Sequence, residues 1–188
     1  MKIVFKIISA ALVLAAAVPG RADEVYYSPR DLLADFFRKS QQVSYKKLQV
    51  DEIDRQRISR RLGYALPRTN YTFYVATSGS HVDGYALIDE EKGEHLPITF
   101  AVQLSPEGKV QRQEIVVYRE ARGDEVRDAR FRGQFVGKRA CDPLRAGDDI
   151  AVVSGATISS RAMAGGVKRA LVLVEELILR PSRATAAR

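Results

Sequence analysis

Cysteine and histidine are scarce in this 188-residue chain: Cys141 stands alone, and His81 and His95 are the only histidines. A single cysteine excludes an intramolecular disulfide, so stability has to come from packing. Two histidines this far apart make no recognisable metal motif, and no Cys-x-x-Cys-His haem attachment site is present. A Gly-x-Ser-x-Gly elbow and a phosphate loop ending in Gly-Lys-Ser/Thr are missing as well. His95 reads as a structural or surface histidine, and Cys141, beside Asp142 and Pro143 with no base nearby in sequence, as a buried or inert thiol. The acids from Asp89 to Glu94 lack the spacing of a calcium loop and read as a turn. Ser44, Tyr45, Lys46 and Lys47 match Ser-x-x-Lys, but without partner motifs and at a polar helix end this is a chance match.

Long apolar runs are scarce too. The clearest one, Ile7 to Val18, is about a dozen residues against the ~20 needed to span a bilayer. Preceded by Lys2 and Lys6 and followed by Gly20, Arg21 and Ala22, it has the three-part layout of a secretory signal peptide cut after Ala22. The mature protein is therefore expected outside the cytoplasm, in a periplasmic or similar compartment. No cysteine near the cleavage point supports a lipid anchor. The chain has 30 Lys and Arg against 23 Asp and Glu, a net +7. Removing residues 1–22 takes Lys2, Lys6 and Arg21 and no acid, leaving 27 against 23, or +4. Those cations are interleaved with acids and form no stripe with base-stacking aromatics, which argues against nucleic acid as a partner. A mild positive excess suits a solvated face, with peripheral contact to an anionic membrane or an acidic redox partner as its functional use.

A chain of this length is expected to bury one core. Ser28, Pro29 and Asp31 form a helix start, and Leu32, Leu33, Phe36 and Phe37 recur at helical spacing behind it. A second, strongly charged helix is expected on the surface from Asp51 to about Leu62, closing at Gly63. From Tyr71 the apolar period changes to two, predicting strands near 71–77, 82–89, 96–104 and 110–118. Their short connections make neighbours antiparallel, and a slip in alternation around Glu114 and Ile115 points to a bulge. A polar loop follows from Arg119 to Asp124, then a short helix holding Phe131 and Phe135 and stopping at Gly137. Ile150 to Val153 reads as a short strand leading into a long final helix that ends at Pro181. On that helix Met163, Val167, Ala170, Leu171, Val174, Leu177 and Ile178 form the apolar stripe, with Lys168, Arg169, Glu175 and Glu176 off it. The fold class is α+β, an antiparallel sheet with helices packed on it.

The segment Ser154-Gly155-Ala156-Thr157-Ile158-Ser159-Ser160 stands where the chain enters that last helix. Spare backbone N–H groups and the positive dipole end make such a place a natural phosphate site. Gly155 permits unusual dihedrals, Ala156 leaves the approach uncrowded, and Thr157 offers a hydroxyl that can be esterified. Ser159 and Ser160 have two readings, as donors to phosphate oxygens or simply as helix caps.

The string Ser154–Thr157, with the hydroxyl pair and helix behind it, resembles the flavinylation motif of the FMN-binding domain family. That family includes the covalent-FMN subunits of the sodium-translocating NADH:quinone reductase and of the Rnf electron-transport complex. The likeness extends in order through Gly84, Tyr85, Ala86, His95, Pro97, Ile98, Phe100, Pro106 to Val110, Glu120, Gln134, Phe135, Gly137 and Lys138, covering about residues 82–178. It implies FMN as cofactor, bound through its phosphate to Thr157 within a site of Ser154, Gly155, Ala156, Ile158, Ser159 and Ser160. By analogy Glu120 and the Arg119–Asp124 loop flank the ring. It implies two partners, an extracytoplasmic FMN transferase that loads the protein and a membrane-bound redox protein. Taken with the pattern along the chain, the expected division is a signal peptide (1–22), an N-terminal helical region (23–70), an FMN-binding domain (71–181) and a disordered tail (182–188). One departure stands out: the family usually has an acid six positions before the acceptor threonine, where this chain has Ala151, with Asp148 and Asp149 just upstream. With no convincing acid/base set for substrate chemistry, the expected role is an exported electron carrier rather than a stand-alone enzyme. The alternatives are an extracytoplasmic flavin-dependent reductase acting on a small acceptor and a non-redox binding module of the same fold.

Overall fold

The computed structural model describes residues 23–180, so the expected signal peptide and the tail at 182–188 lie outside the described residues. Among the described residues six antiparallel strands make one sheet in the order β1-β6-β5-β4-β3-β2. They are β1 (Glu24–Val25), β2 (Gln42–Gln49), β3 (Asn70–Ser78), β4 (His81–Lys92), β5 (Pro97–Leu104) and β6 (Val110–Tyr118). The four period-two segments are β3 to β6, each paired with its sequence neighbour because only short turns separate them. The expected slip is a register shift in β6: Thr99 faces Val117 while Phe100 faces Ile115, which leaves Val116 as the extra residue.

The sheet's two faces carry unequal loads. One bears Phe73, Leu87, Phe100, Val102, Leu104 and Ile115 and is covered by α4 (Thr157–Val174) with help from α2 (Glu52–Leu62) and α3 (Ala129–Gly133). The other holds a smaller cluster of Ala76, Ala86, Ala101 and Val116 under Leu32, Phe36 and Phe37 of the α1 region. Helix α1 (Pro29–Phe36) begins as its sequence predicts, with the Ser28 hydroxyl accepting from the Asp31 amide at 3.1 Å and proline in the first turn. Helix α2 is capped by Asp51, whose carboxylate accepts from the Asp54 amide at 2.8 Å, and it closes at Gly63. Its charged face is only partly solvent-facing. Arg57 and Arg61 pair with Glu176, and Arg61 also with Glu175, which docks α2 onto the short π-helical turn (Glu175–Leu179) that continues α4.

Several sequence expectations need correction. Ser44 to Lys47, read as a polar helix end, lie in the edge strand β2 (Gln42–Gln49), whose side chains are exposed at every position but Leu48. With no buried face the period-two signal has nothing to mark, so only pairing with β3 along its full length reveals the strand. The region 23–70 is thus not wholly helical, and it shares the sheet with the residues after it. Asp89 to Lys92 do not form a turn but extend β4, and Asp89 is buried. Ile150 to Val153 makes no strand; a single bridge between Ala146 and Ile150 is its only ladder contact. Cys141, read as a buried or inert thiol, is exposed, which removes the first of those two alternatives.

Helix α4 fixes the architecture that matters most for a site at its start. It crosses β4 and β5 at close range, because Gly166 faces the buried Phe100 ring where a Cβ would come within 2.6 Å of a ring carbon. Three residues further on, Arg169, placed off the apolar stripe by its sequence, is only 1% exposed. Its guanidinium meets Asp89 at 2.9 and 3.0 Å, the Glu90 carbonyl at 2.8 Å, and Glu91, while Arg68 approaches Asp89 from the other side. A buried arginine is tolerable when every face of the fork is matched in this way.

Candidate functional site

The first residue of α4 is Thr157, and the N-cap before it is Ala156, which has no side chain able to accept a hydrogen bond. The first helical bond runs from the Ser160 amide to the Ala156 carbonyl at 2.8 Å. The amides of Thr157, Ile158 and Ser159 precede it and point out of the helix end without a side-chain cap. Gly155 takes a left-handed conformation (φ +82°), and a Cβ there would meet nothing within 4 Å, so the approach to these amides is open. Thr157 and Ile158 are exposed, whereas Ala156, Ser159 and Ser160 are buried. An exposed hydroxyl above uncapped amides is the arrangement a phosphate ester needs: the amides donate to non-bridging oxygens and the dipole favours the charge.

Gly155, Ala156, Thr157, Ile158 and Ser159 line a cleft of about 250 Å³ together with Glu94, Glu120, Arg122 and Gly123. Arg122, an exposed residue, lines the same cleft beside Glu94 and Glu120, so its walls carry both signs of charge and the helix start supplies the donors. The structure thus brings Gly155, Ala156, Thr157, Ile158, Ser159 and Glu120 into one place. Ser154 is exposed in the turn that precedes them.

Three of the expected site residues are occupied by the protein itself. Ser160 Oγ accepts from the Val153 amide at 3.2 Å, which folds residues 153–156 back against the helix. Ser159 Oγ lies 2.9 Å from the Tyr118 hydroxyl, which in turn donates to the Arg122 carbonyl at 2.5 Å. Neither serine caps α4, and the Ser159 hydroxyl is committed to Tyr118 rather than to the cleft. Burial pushes the Tyr118 phenol up from its ordinary value, so it remains a neutral donor throughout the physiological range. Glu120, at 6% exposure, accepts from the amides of His95 and Leu96 at 2.6 and 2.9 Å through one oxygen. It therefore ties the turn between β4 and β5 to the loop after β6, while its side chain borders the cleft.

The approach to the motif is organised by residues with no site signal of their own. The Gln134 side chain clamps the Ala151 backbone from both ends: its carbonyl accepts from the Ala151 amide at 2.7 Å, and its amide donates to the Ala151 carbonyl at 3.3 Å. Asp149 accepts from Lys138 Nζ at 2.8 Å and from the amides of Arg145 and Leu144 at 2.7 and 3.2 Å. Burial raises its pKa, but these donors outweigh burial and hold the carboxyl below its usual range. Asp149 is thus engaged in shaping the 144–150 loop, and Asp148 is exposed beside it. Next to this segment a second cavity of about 580 Å³ is lined by Phe131, Gln134, Ala151, Val152 and Val153 with Asp128, Glu125 and Arg130. Among the described residues no His, Cys, Asp and Glu cluster is arranged to hold a metal, and no helix is long and apolar enough to cross a membrane.

Residues 93–172 match the model of the FMN-binding domain family. A curated relative from Clostridium ljungdahlii, one of the subunits of a proton-translocating ferredoxin:NAD(+) oxidoreductase complex, is 36% identical over 108 residues. That match covers 53% of this chain and spans 57% of the relative's length. Among solved structures, NqrC of Shewanella oneidensis superposes with a TM-score of 0.52 at 15% identity, over 72% of this chain and 80% of that one, which establishes a shared fold.

Proposed function

We propose that this chain, whose residues 93–172 match the FMN-binding domain family, carries FMN as a phosphoester on Thr157 and serves as an electron-transfer subunit outside the cytoplasm. The observation that carries the reading is the exposed Thr157 hydroxyl at the uncapped start of α4, inside the matched domain. Esterification forms a bond from Thr157 Oγ1 to the flavin's phosphorus and breaks that phosphorus's bond to the oxygen of its leaving group, water or the nucleotide remainder of an activated flavin donor, which departs with the hydroxyl proton. The uncapped amides of residues 157–159 would donate to the remaining phosphate oxygens, and Arg122 is the one cation among the residues lining the cleft. The bound isoalloxazine supplies the redox chemistry. The polypeptide holds that group at one place, and a covalent tether keeps its concentration at the site independent of dilution in an open compartment.

The relative from Clostridium is by its name part of a ferredoxin:NAD(+) oxidoreductase complex, which supports a membrane redox complex as partner. Export rests on the Lys2-to-Ala22 pattern, and loading would fall to an extracytoplasmic FMN transferase. Ala151, which stands six residues before Thr157 where the family usually has an acid, has its backbone held by the side-chain amide of Gln134. The test is expression of the full chain with an FMN transferase in an exporting host. The product should keep yellow-green fluorescence after denaturing electrophoresis, and Thr157→Ala should lose it. A wild-type band without fluorescence contradicts the proposal. Turnover of a small acceptor by the isolated reduced protein would favour the reductase reading instead.

A further inference from the structure

We infer that Tyr118 is a positioning residue for the flavin cleft, setting its width through a latch with Ser159; this rests on the FMN reading above. The cleft has three walls: the β4–β5 turn with Glu94, the loop after β6 with Glu120 and Arg122, and the first turn of α4. These come from parts of the chain far apart in sequence, and nothing in local geometry sets their separation. The loop after β6 is the piece that touches both others. Glu120 grips the amides of His95 and Leu96 in the turn. On the other side the Tyr118 hydroxyl binds the Arg122 carbonyl at 2.5 Å and Ser159 Oγ at 2.9 Å, joining the loop to the helix.

The contact is as close as atoms allow. Gly123, in a left-handed conformation (φ +90°), packs on the same two hydroxyls: a Cβ would sit 2.6 Å from Ser159 Oγ and 2.8 Å from Tyr118 Oη. Tyr118 is 1% exposed and Ser159 4% exposed, so water cannot replace either partner without opening the loop. Ser159 lies two residues beyond the acceptor Thr157, within the same first turn of α4. A hydroxyl-to-hydroxyl bond there fixes the Arg122-bearing wall relative to the ester position. Without the Tyr118 oxygen the Arg122 carbonyl and Ser159 hydroxyl are both left unpaired. The loop then relaxes outward to hydrate them, carrying Arg122 away from the cleft.

Full-length protein loaded with FMN is compared as wild type, Tyr118→Phe, Ser159→Ala and the double variant. Phenylalanine keeps the ring in the core, so far-UV circular dichroism should be unchanged. The visible circular dichroism of the flavin should weaken, and iodide should quench its fluorescence about twofold more effectively in each single variant as the cleft opens. The double variant should look like the singles, since either change already breaks the latch. Tyr118→Phe with wild-type flavin dichroism, quenching and reduction potential overturns the inference, as do fully additive effects in the double variant. Failure of the underlying reading looks different: wild-type protein that takes up no FMN under loading conditions.

Discussion

Replacing Arg169 by methionine should lower stability by about 3 kcal/mol, and the figure follows from what the guanidinium touches. Its fork contacts Asp89, Glu91 and the Glu90 carbonyl in a place where Asp89 has no exposed side-chain surface. Removing one partner of a buried ion pair costs about 3–5 kcal/mol, because a charge is left in a medium that cannot solvate it. Arg68, half-exposed, remains on Asp89 and should hold the loss near the low end of that range. Methionine replaces the aliphatic stem, so little of the effect is lost packing. For a domain of this size ~3 kcal/mol corresponds to a fall in Tm of about 6–12 °C. Urea unfolding followed by far-UV circular dichroism reads the loss as a lower midpoint with an unchanged slope. Adding Asp89→Leu to Arg169→Met should restore about half of the loss or more, since Arg68 can then turn to water. An Arg169→Met protein within about 0.5 kcal/mol of wild type would refute the reasoning, and so would a double variant no more stable than the single one.

Gly166→Ala sets two effects against each other: alanine gains about 1 kcal/mol of helix propensity, but its Cβ meets the buried Phe100 ring at 2.6 and 2.8 Å, an overpacking cost of about 1–3 kcal/mol. The clash should win and thermal unfolding should show a lower Tm; a stabilised variant would mean that α4 can lift from β5. Asp149→Asn tests the loop before the motif. Because the carboxyl's folded pKa lies below its ordinary value of 3.8, the stability it adds is fully present above that value and lost as pH falls through the depressed one. The variant should therefore be less stable than wild type at neutral pH, with the gap closing towards acid; a gap that is constant with pH contradicts this. Gln134→Ala removes both bonds to the Ala151 backbone, and exchange of the Ala151 amide proton should quicken by about tenfold, equivalent to ~1.4 kcal/mol of lost protection.

What the sequence made legible were elements whose large apolar residues fall on one face, the other face of the sheet being filled mainly by small ones such as Ala76, Ala86 and Ala101. β3 to β6 and α1 announce themselves because alternate or every-third residues must leave water, and the caps at Ser28 and Asp51 mark helix starts by local chemistry alone. β2 escaped because its side chains face solvent on both sides, and a strand held mainly by backbone pairing leaves no apolar period. Arg169 escaped for a related reason: helical spacing sorts apolar from charged residues and has no means of seeing that Asp89 and Glu91, some eighty positions earlier, wait beneath it. At the site, Gly155 and Thr157 could be placed because a glycine before a hydroxyl at a helix start is a local pattern. The sequence could not say that Ser159 and Ser160 are turned to Tyr118 and Val153, nor that Gln134 holds Ala151, since those pairings are made by the fold. The metal, haem and hydrolase motifs are absent from the sequence, which left the helix-start reading as its strongest chemical signal.

Flavin attachment at Thr157 is tested most directly by peptide mass spectrometry of full-length protein produced with an FMN transferase and exported. The peptide containing Thr157 should gain the mass of FMN less one water, with fragmentation placing it on the Thr157 side chain. A Thr157 peptide of unmodified mass from that material would contradict the proposed linkage.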